Sequence, residues 1–464
     1  MVHCLALALV GFLPSGLTQT FPKDRADNFP PLPLTLCESK NDCKTKNTRV
    51  VADANWRELV GKNGGFCYKG NQWNKEYCAS EEQPLTDCEL QPIDYENTLG
   101  VTTKDDELTL RFITPTGPDS HTEGSRLYLL GPESTYENFT LLNREIAFDI
   151  NLSNLPCGMN AAFYFSQMDM DGGFNRSGNP DYPGATAGMG YCDAQSNRDN
   201  KFVIGKSNCK KWDPYSYSLG RGTYGTYCAE VDVFEGNTRS NVFTSHPCKK
   251  TDGYHTCSGE TQCAKPTCDR GGCDYNPYRV GAIDFYGLGD KFKIDTSRTF
   301  TVLTQFITDG DTDTGDLVEI RRLYIQDGKL VPIPDVTITT PDYDGGEITD
   351  KFCAAERKAF NETDDHTNIG GLRRMGKSLR KGMVLAISLW ADWNVNMQWL
   401  DSVFPPKACT VKDQKEVCPL GVKRGPCATS EGNVTELTKT NPGASVMFSK
   451  IRFGKIGATT VVRN

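Results

Sequence analysis

The chain lacks any excess of positive charge. Its 464 residues hold 51 Lys and Arg against 59 Asp and Glu, a formal net charge of −8. A surface that tracks phosphates shows the opposite balance, so nucleic acid is not an expected partner. Beyond the N-terminus no apolar run approaches the roughly 20 residues needed to cross a bilayer, so no membrane span is expected. There is no Ser/Thr/Pro-rich linker, no charge block and no internal repeat, and few stretches carry a helical period. No Cys-x-x-Cys knuckle occurs. Among Cys257, Cys263, Cys268 and Cys273 only His255 lies at a useful interval, which argues against zinc. Neither a metal nor a cofactor is expected.

What is present starts with LALALVGFL, Leu5 to Leu13, followed by Pro14, Ser15 and Gly16. A short apolar core before small residues has the shape of a secretory signal, although its first residues offer His3 and no Lys or Arg. Residues 1–18 are read as the signal and 19–464 as one catalytic domain. The cysteines support export independently. There are 19; setting aside Cys4 in the leader leaves 18, an even number suited to disulfides in an oxidising compartment. A secreted, extracellular protein is the expectation. Sequons at Asn138, Asn151, Asn175, Asn361 and Asn433 would accept glycans where exposed.

Between turn residues, drawn from 44 Gly and 25 Pro, short runs rich in β-branched and aromatic residues recur. Leu108–Pro115, Arg144–Leu152, Ala161–Asp169, Phe300–Thr308 and Val318–Ile325 are examples, and many alternate as half-buried strands must. The best helix candidates are short, around Ala354–Phe360 and Leu372–Leu379, the latter leading into the strand MVLAISLW. The economical reading is all-β, one large antiparallel sandwich.

The segment Ala229–Asn237 reads AEVDVFEGN. Spacing two puts Glu230 and Asp232 on one strand face, whereas Glu235 falls on the other. A β-bulge between Asp232 and Glu235 would return it to their side. Three acids on one stretch suit retaining glycoside hydrolysis, in which an ionised carboxylate attacks the sugar and a protonated one, about 5–5.5 Å away, serves the leaving oxygen. Asp232 between them would position and tune the nucleophile. The bland alternative is a solvated acidic strand edge. His246 follows in SHPC, and Trp56, Trp390, Trp393 and Trp399 sit among polar residues, as stacking platforms for sugars would. Asp169–Asp171, in DMDGG, resembles the start of a calcium loop, but the rest of the ligand series is missing.

AEVDVFEGN followed by SHPC resembles the active-site strand of glycoside hydrolase family seven, the cellobiohydrolases and endoglucanases of fungi and protists. VADANWR, LGVTT, RLYLL, LPCGMNAAFYFSQMDMDGG, GYCDAQ, CDYNPYR, MQWLDS and FSKIRFGKIG follow in the family's order along nearly the whole mature chain. The resemblance implies a β-jelly-roll sandwich of two curved antiparallel sheets, with loops arching over a long cleft that takes cellulose or another β-1,4-glucan. It implies Glu230 as nucleophile, Glu235 as acid/base, Asp232 as helper and His246 on the leaving-group side. Trp390 and Trp399 match platforms on either side of the cleavage point, and Trp56 one farther along. Arg126, Tyr164, Asp193, Gln195 and Lys201 resemble cleft residues that bond glucose units, and Arg279 and Arg424 resemble arginines that hold the product. The same resemblance implies the disulfides Cys37–Cys43, Cys67–Cys88, Cys157–Cys427, Cys192–Cys228, Cys248–Cys268, Cys257–Cys263 and Cys273–Cys353. It leaves Cys78 and Cys209 unassigned; Cys409–Cys418 is a local guess. A monomer is expected, with no carbohydrate-binding module.

Departures from the family pattern bear on the mode of attack. A Trp two positions after Trp56, found in cellobiohydrolases, is Glu58 here, and only AKPT separates Cys263 from Cys268 where tunnel-forming members carry a longer loop. Both changes, and the insertion DGDTDTGDLVEIRR, resemble endoglucanases. Lys201, Arg424 and the extended Asp335–Phe352 region resemble chain-end-acting members. The expectation is an endo-1,4-β-glucanase with a partly open cleft. The alternatives are a reducing-end cellobiohydrolase and, more remotely, a non-catalytic lectin-like glucan binder.

Overall fold

The computed structural model describes residues 27–460, apart from 215–219, 266, 337–342, 344 and 413–414. The expected leader lies outside the described residues.

Alternation builds the strands into two large stacked sheets. One has nine strands. Its main path runs Asp42–Lys46, Leu34–Ser39, Ser445–Lys455, Arg144–Asn151, Phe300–Thr308, Leu317–Gln326 and Lys329–Pro332, and Glu107–Arg111 and Val101–Lys104 extend it from Ser445–Lys455. The other has eight. It runs Cys273–Tyr275, Asn241–His246, Glu230–Gly236, Met159–Ser166, Met383–Ala391, Ser125–Leu130 and Arg49–Ala52, with Asn138–Phe139 beside Met383–Ala391. Leu34–Ser39 pairs with Ser445–Lys455 in parallel. The other pairings in these sheets are antiparallel, as in a β-jelly-roll sandwich.

Met159–Ser166 shows how the sequence divides the two faces. Met159, Ala161, Phe163 and Phe165 enter the main core between the sheets, whereas Ala162 and Tyr164 join a separate cluster on the far side. Phe148, from the nine-stranded sheet, stacks on Phe163 at 4.0 Å between ring centroids and also meets Phe448 and Phe234. The inner face of the eight-stranded sheet is thereby buried, and its other face carries both the second cluster, with Val51, Leu130, Ala162, Val384 and Ala386, and the polar side chains of Glu230 and Asp232.

The two expected helices form at Asp350–Phe360 and Gly371–Lys381; the second buries Leu372, Met375 and Leu379 at helical spacing. The run Leu108–Pro115 is not one strand. Glu107–Arg111 belongs to the nine-stranded sheet, and Ile113–Gly117 turns away to pair with Ser120–Glu123. Among the described residues no helix is long and apolar enough to cross a membrane. All seven disulfides implied by the resemblance are formed, as is Cys409–Cys418, and Cys78 pairs with Cys209.

Candidate active site

Glu230–Gly236 is a strand of the eight-stranded sheet, and its register breaks where the sequence asked for a bulge. On one side Asp232 pairs with Thr244 and Glu235 with Val242, so three residues span the space of two. On the other side Phe234 pairs with Phe163 and Asp232 with Tyr164. Val233 is the extra residue. Both Val233 and Phe234 are buried in the main core, which returns Glu235 to the face that carries Glu230 and Asp232.

Glu230 and Asp232 are buried and Glu235 is half-buried. The Ala194 N–H donates to Glu230 Oε2 at 2.9 Å. Asn160 Nδ2 donates to Glu235 Oε1 at 2.7 Å, and its Oδ1 accepts from the Gly236 N–H at 3.0 Å. His246 lies between Asp232 Oδ2, 2.9 Å from Nε2, and the carbonyl oxygen of Asp269, 2.7 Å from Nδ1. A carbonyl only accepts, so Nδ1 carries a proton; with Asp232 ionised, Nε2 carries one as well. Burial works against that charge, but the bond to Asp232 prevails and raises His246 to about 10. Gly272 permits this placement, because a Cβ there would lie 2.4 Å from the imidazole Cε1.

Burial, then the Asp232 charge, raises Glu235 to about 8, against the donor on Asn160. Burial, then the charges of Asp232 and Asp193, raise Glu230 well above the usual carboxylate range, with His246 and the Ala194 N–H acting in the opposite direction. Burial and like charge thus push both glutamates toward the protonated form, and on Glu230 His246 and the Ala194 N–H are the groups that favour the carboxylate.

Around this centre the other expected residues fall on three stretches. Trp390 and Trp399 adjoin rather than standing apart, with centroids 6.1 Å apart and planes at 29°. Trp390 is the register partner of Asn160, which places the pair at the Glu235 end. Trp393 is packed against the main core, and its Nε1 donates to Glu123 Oε2 at 3.1 Å. Alongside Asp232, its register partner, Tyr164 shares a hydroxyl bond with Tyr191 at 3.1 Å, and Tyr191 donates to Asp193 at 2.8 Å. The Arg126 guanidinium lies 3.3 Å over the Tyr191 ring and 5.3 Å from that of Trp56, and is paired with Asp53. Gln195 is exposed and donates to the Arg270 carbonyl. Lys201 is buried beneath the Trp56 turn, its Nζ donating to the carbonyls of Asn55 and Arg57, and burial lowers it to about 8.

The third stretch is ionic. Arg279, fully buried, binds Asp274, Glu356 and Glu362 and donates to the Gly421 carbonyl. Arg424 meets Asp274 at 3.1 Å and remains partly open. The calcium loop is not built: Arg176 holds Asp169 through two bonds, and Asp171 accepts from the backbone of Gly173 and Asn175.

Sequence reasoning missed Asn160, Ala194 and the Asp269 carbonyl. Asn160 carried a signal, a polar residue in the otherwise apolar run MNAAFYF at even spacing from Tyr164. The two backbone groups carried none.

A two-sheet sandwich with three acids gathered onto one face by a bulge, beside aromatic and basic side chains, is an arrangement that suits a polysaccharide-cleaving glycosidase. The family model described as Glycosyl hydrolase family 7 matches residues 22–460. Among solved structures, a family 7 cellobiohydrolase from Daphnia pulex is 38% identical with a TM-score of 0.89, covering 95% of this chain and 100% of its own. A cellobiohydrolase from Melanocarpus albomyces, complexed with cellotetraose, is 38% identical at 0.86 with the same coverage. The Humicola insolens endocellulase EGI is 32% identical at 0.78, again covering 95% and 100%. The chain belongs to glycosyl hydrolase family 7 and is a cellulase.

Proposed function

We propose that this enzyme hydrolyses β-1,4-glucosidic bonds of cellulose with retention of configuration, through a covalent intermediate on Glu230. The bulge at Val233 carries the reading, because it gathers Glu230, Asp232 and Glu235 onto one face. Ionised Glu230 attacks the anomeric carbon, with the Ala194 N–H holding its Oε2. Glu235, which keeps its proton up to about 8, gives it to the departing oxygen. As a carboxylate it then takes a proton from water; that water attacks the anomeric carbon and frees Glu230. Asp232, held by the His246 imidazolium, sustains the Glu235 proton and positions the pair.

Trp56, Trp390 and Trp399 are assigned to stacking glucose rings, and Arg126, Tyr164, Asp193, Gln195 and Arg424 to bonding sugar hydroxyls. Buried Lys201 acts through the Trp56 turn, and Arg279 acts through Asp274 and Glu362 on Arg424. The proposal extends to one secreted, monomeric catalytic domain with glycans on the exposed sequons Asn138, Asn175, Asn361 and Asn433 and the half-buried Asn151. Proton NMR of fresh hydrolysate tests the chemistry. β-Anomeric product is expected before mutarotation, and α-anomer first would overturn the assignment.

Two observations pull the mode of attack apart. Glu58, exposed beyond Trp56, and the short link between Cys263 and Cys268 support internal cleavage in a partly open cleft. Likeness over the whole chain, 0.89 and 0.86 to cellobiohydrolases against 0.78 to an endocellulase, supports release of cellobiose from chain ends. The second is the broader support, and we take chain-end action as the leading mode.

A further inference from the structure

Arg322 stands on Leu317–Gln326 in the nine-stranded sheet, across the core from Glu230–Gly236. Its side chain is fully buried, and among the described residues no carboxylate pairs with it. A buried cation without a counter-charge is costly and persists only where its donors are fully used. Here its Nη2 donates to the carbonyl of Val233, Nε donates to Thr304 Oγ1 at 3.0 Å, and the guanidinium lies 4.5 Å over the Phe243 ring.

Val233 is the residue with no register partner on either neighbouring strand. A bulge leaves such a residue outside the ladder, and a carbonyl left unpaired in a core is destabilising. Without the bulge, the alternation of the strand would turn Glu235 into the core. We propose that Arg322 is a positioning residue for hydrolysis: it fixes the Val233 bulge from the opposite sheet and thereby holds Glu235 on the face of Glu230. The inference rests on the reading of Glu235 as the proton donor.

Poor leaving groups need a well-placed acid, whereas a highly activated phenolate does not. Arg322→Met keeps the volume and removes the donors. It is expected to lower kcat/KM on cellotetraose at least about tenfold, and on a 2,4-dinitrophenyl β-cellobioside less than about threefold. Its alkaline limb should also move from the native position. Thr304→Val, which removes only the acceptor of Nε, is expected to act in the same direction and more weakly; Arg322→Lys should recover part of the loss. The proposal is overturned if the folded Met variant loses equally on both substrates or on neither. Where that variant does not fold, Thr304→Val with native rates and native pH profile overturns it. Native protein that cleaves neither substrate would instead defeat the reading of the function.

Discussion

Single residues decide how firmly Glu235 holds its proton. Asp232 raises Glu235 by like charge and Asn160 lowers it by donating a hydrogen bond. The two substitutions therefore pull in opposite directions. Asp232→Asn removes a cause that keeps the proton on, so the alkaline limb of kcat/KM, expected near 8, moves down by about one pH unit. Asn160→Ala removes a cause that helps it leave, so that limb moves up. Profiles shifting in the same direction would contradict this division of roles. At this scale the carboxylates were legible, because strand period and the demands of the reaction both constrain side chains. The donor to Glu230 was not: any residue at position 194 supplies an N–H, and only the fold brings that N–H to the carboxylate. His246 was legible as a neighbour, but the proton on its Nδ1 depends on a carbonyl 23 residues farther along the chain.

Elements carry these residues into register. The Val233 bulge was foreseeable from the odd offset between Glu230 and Glu235, whereas its partner on the opposite sheet was not, since nothing local links Arg322 to Val233. Strand runs such as Phe300–Thr308 were found whole because both neighbours are strands and the pattern is unbroken. Leu108–Pro115 was misread as continuous because apolar residues persist through Phe112, where the chain changes sheet. Two consequences can be measured on these elements. Cys192–Cys228 links positions 36 residues apart and tethers the loop bearing Ala194 to the start of the Glu230 strand. Replacing both cysteines by Ser should reduce stability by up to about 4 kcal/mol in chemical denaturation and lower kcat by loosening the Ala194 donor. Phe148→Ala, on the sheet remote from the acids, should cost about 3–5 kcal/mol while leaving kcat at 25 °C unchanged. Loss of kcat in the folded variant would mean that the second sheet positions the site through Phe148 as well as through Arg322.

At the scale of the molecule, nine disulfides tie strands and loops across separations from 6 to 270 residues. Cys78–Cys209, 131 residues apart, joins the segment after Trp56 to the loop beyond Lys201. Family likeness did not supply that pair, and no spacing could. The sandwich was legible as a whole because many of its strands alternate and turn residues separate them. The openness of the cleft was not, because loops of few residues decide it and their course follows tertiary contacts. With chain-end action leading, hydrolysis of swollen cellulose should release mainly cellobiose and cause little viscosity loss in carboxymethylcellulose; a rapid viscosity drop with mixed oligosaccharides would restore the endo reading.

The central claim is that Glu230 forms a bond to the sugar while Glu235 moves the proton. Trapping the intermediate with a 2-deoxy-2-fluoro-β-cellobiosyl fluoride, followed by mass spectrometry of the intact protein and its peptides, tests it most directly. One glycosyl unit per chain, mapped to Glu230 and absent from Glu230→Gln, is the predicted result. An adduct on Glu235, or native enzyme inactivated by the reagent without any adduct, would contradict the account.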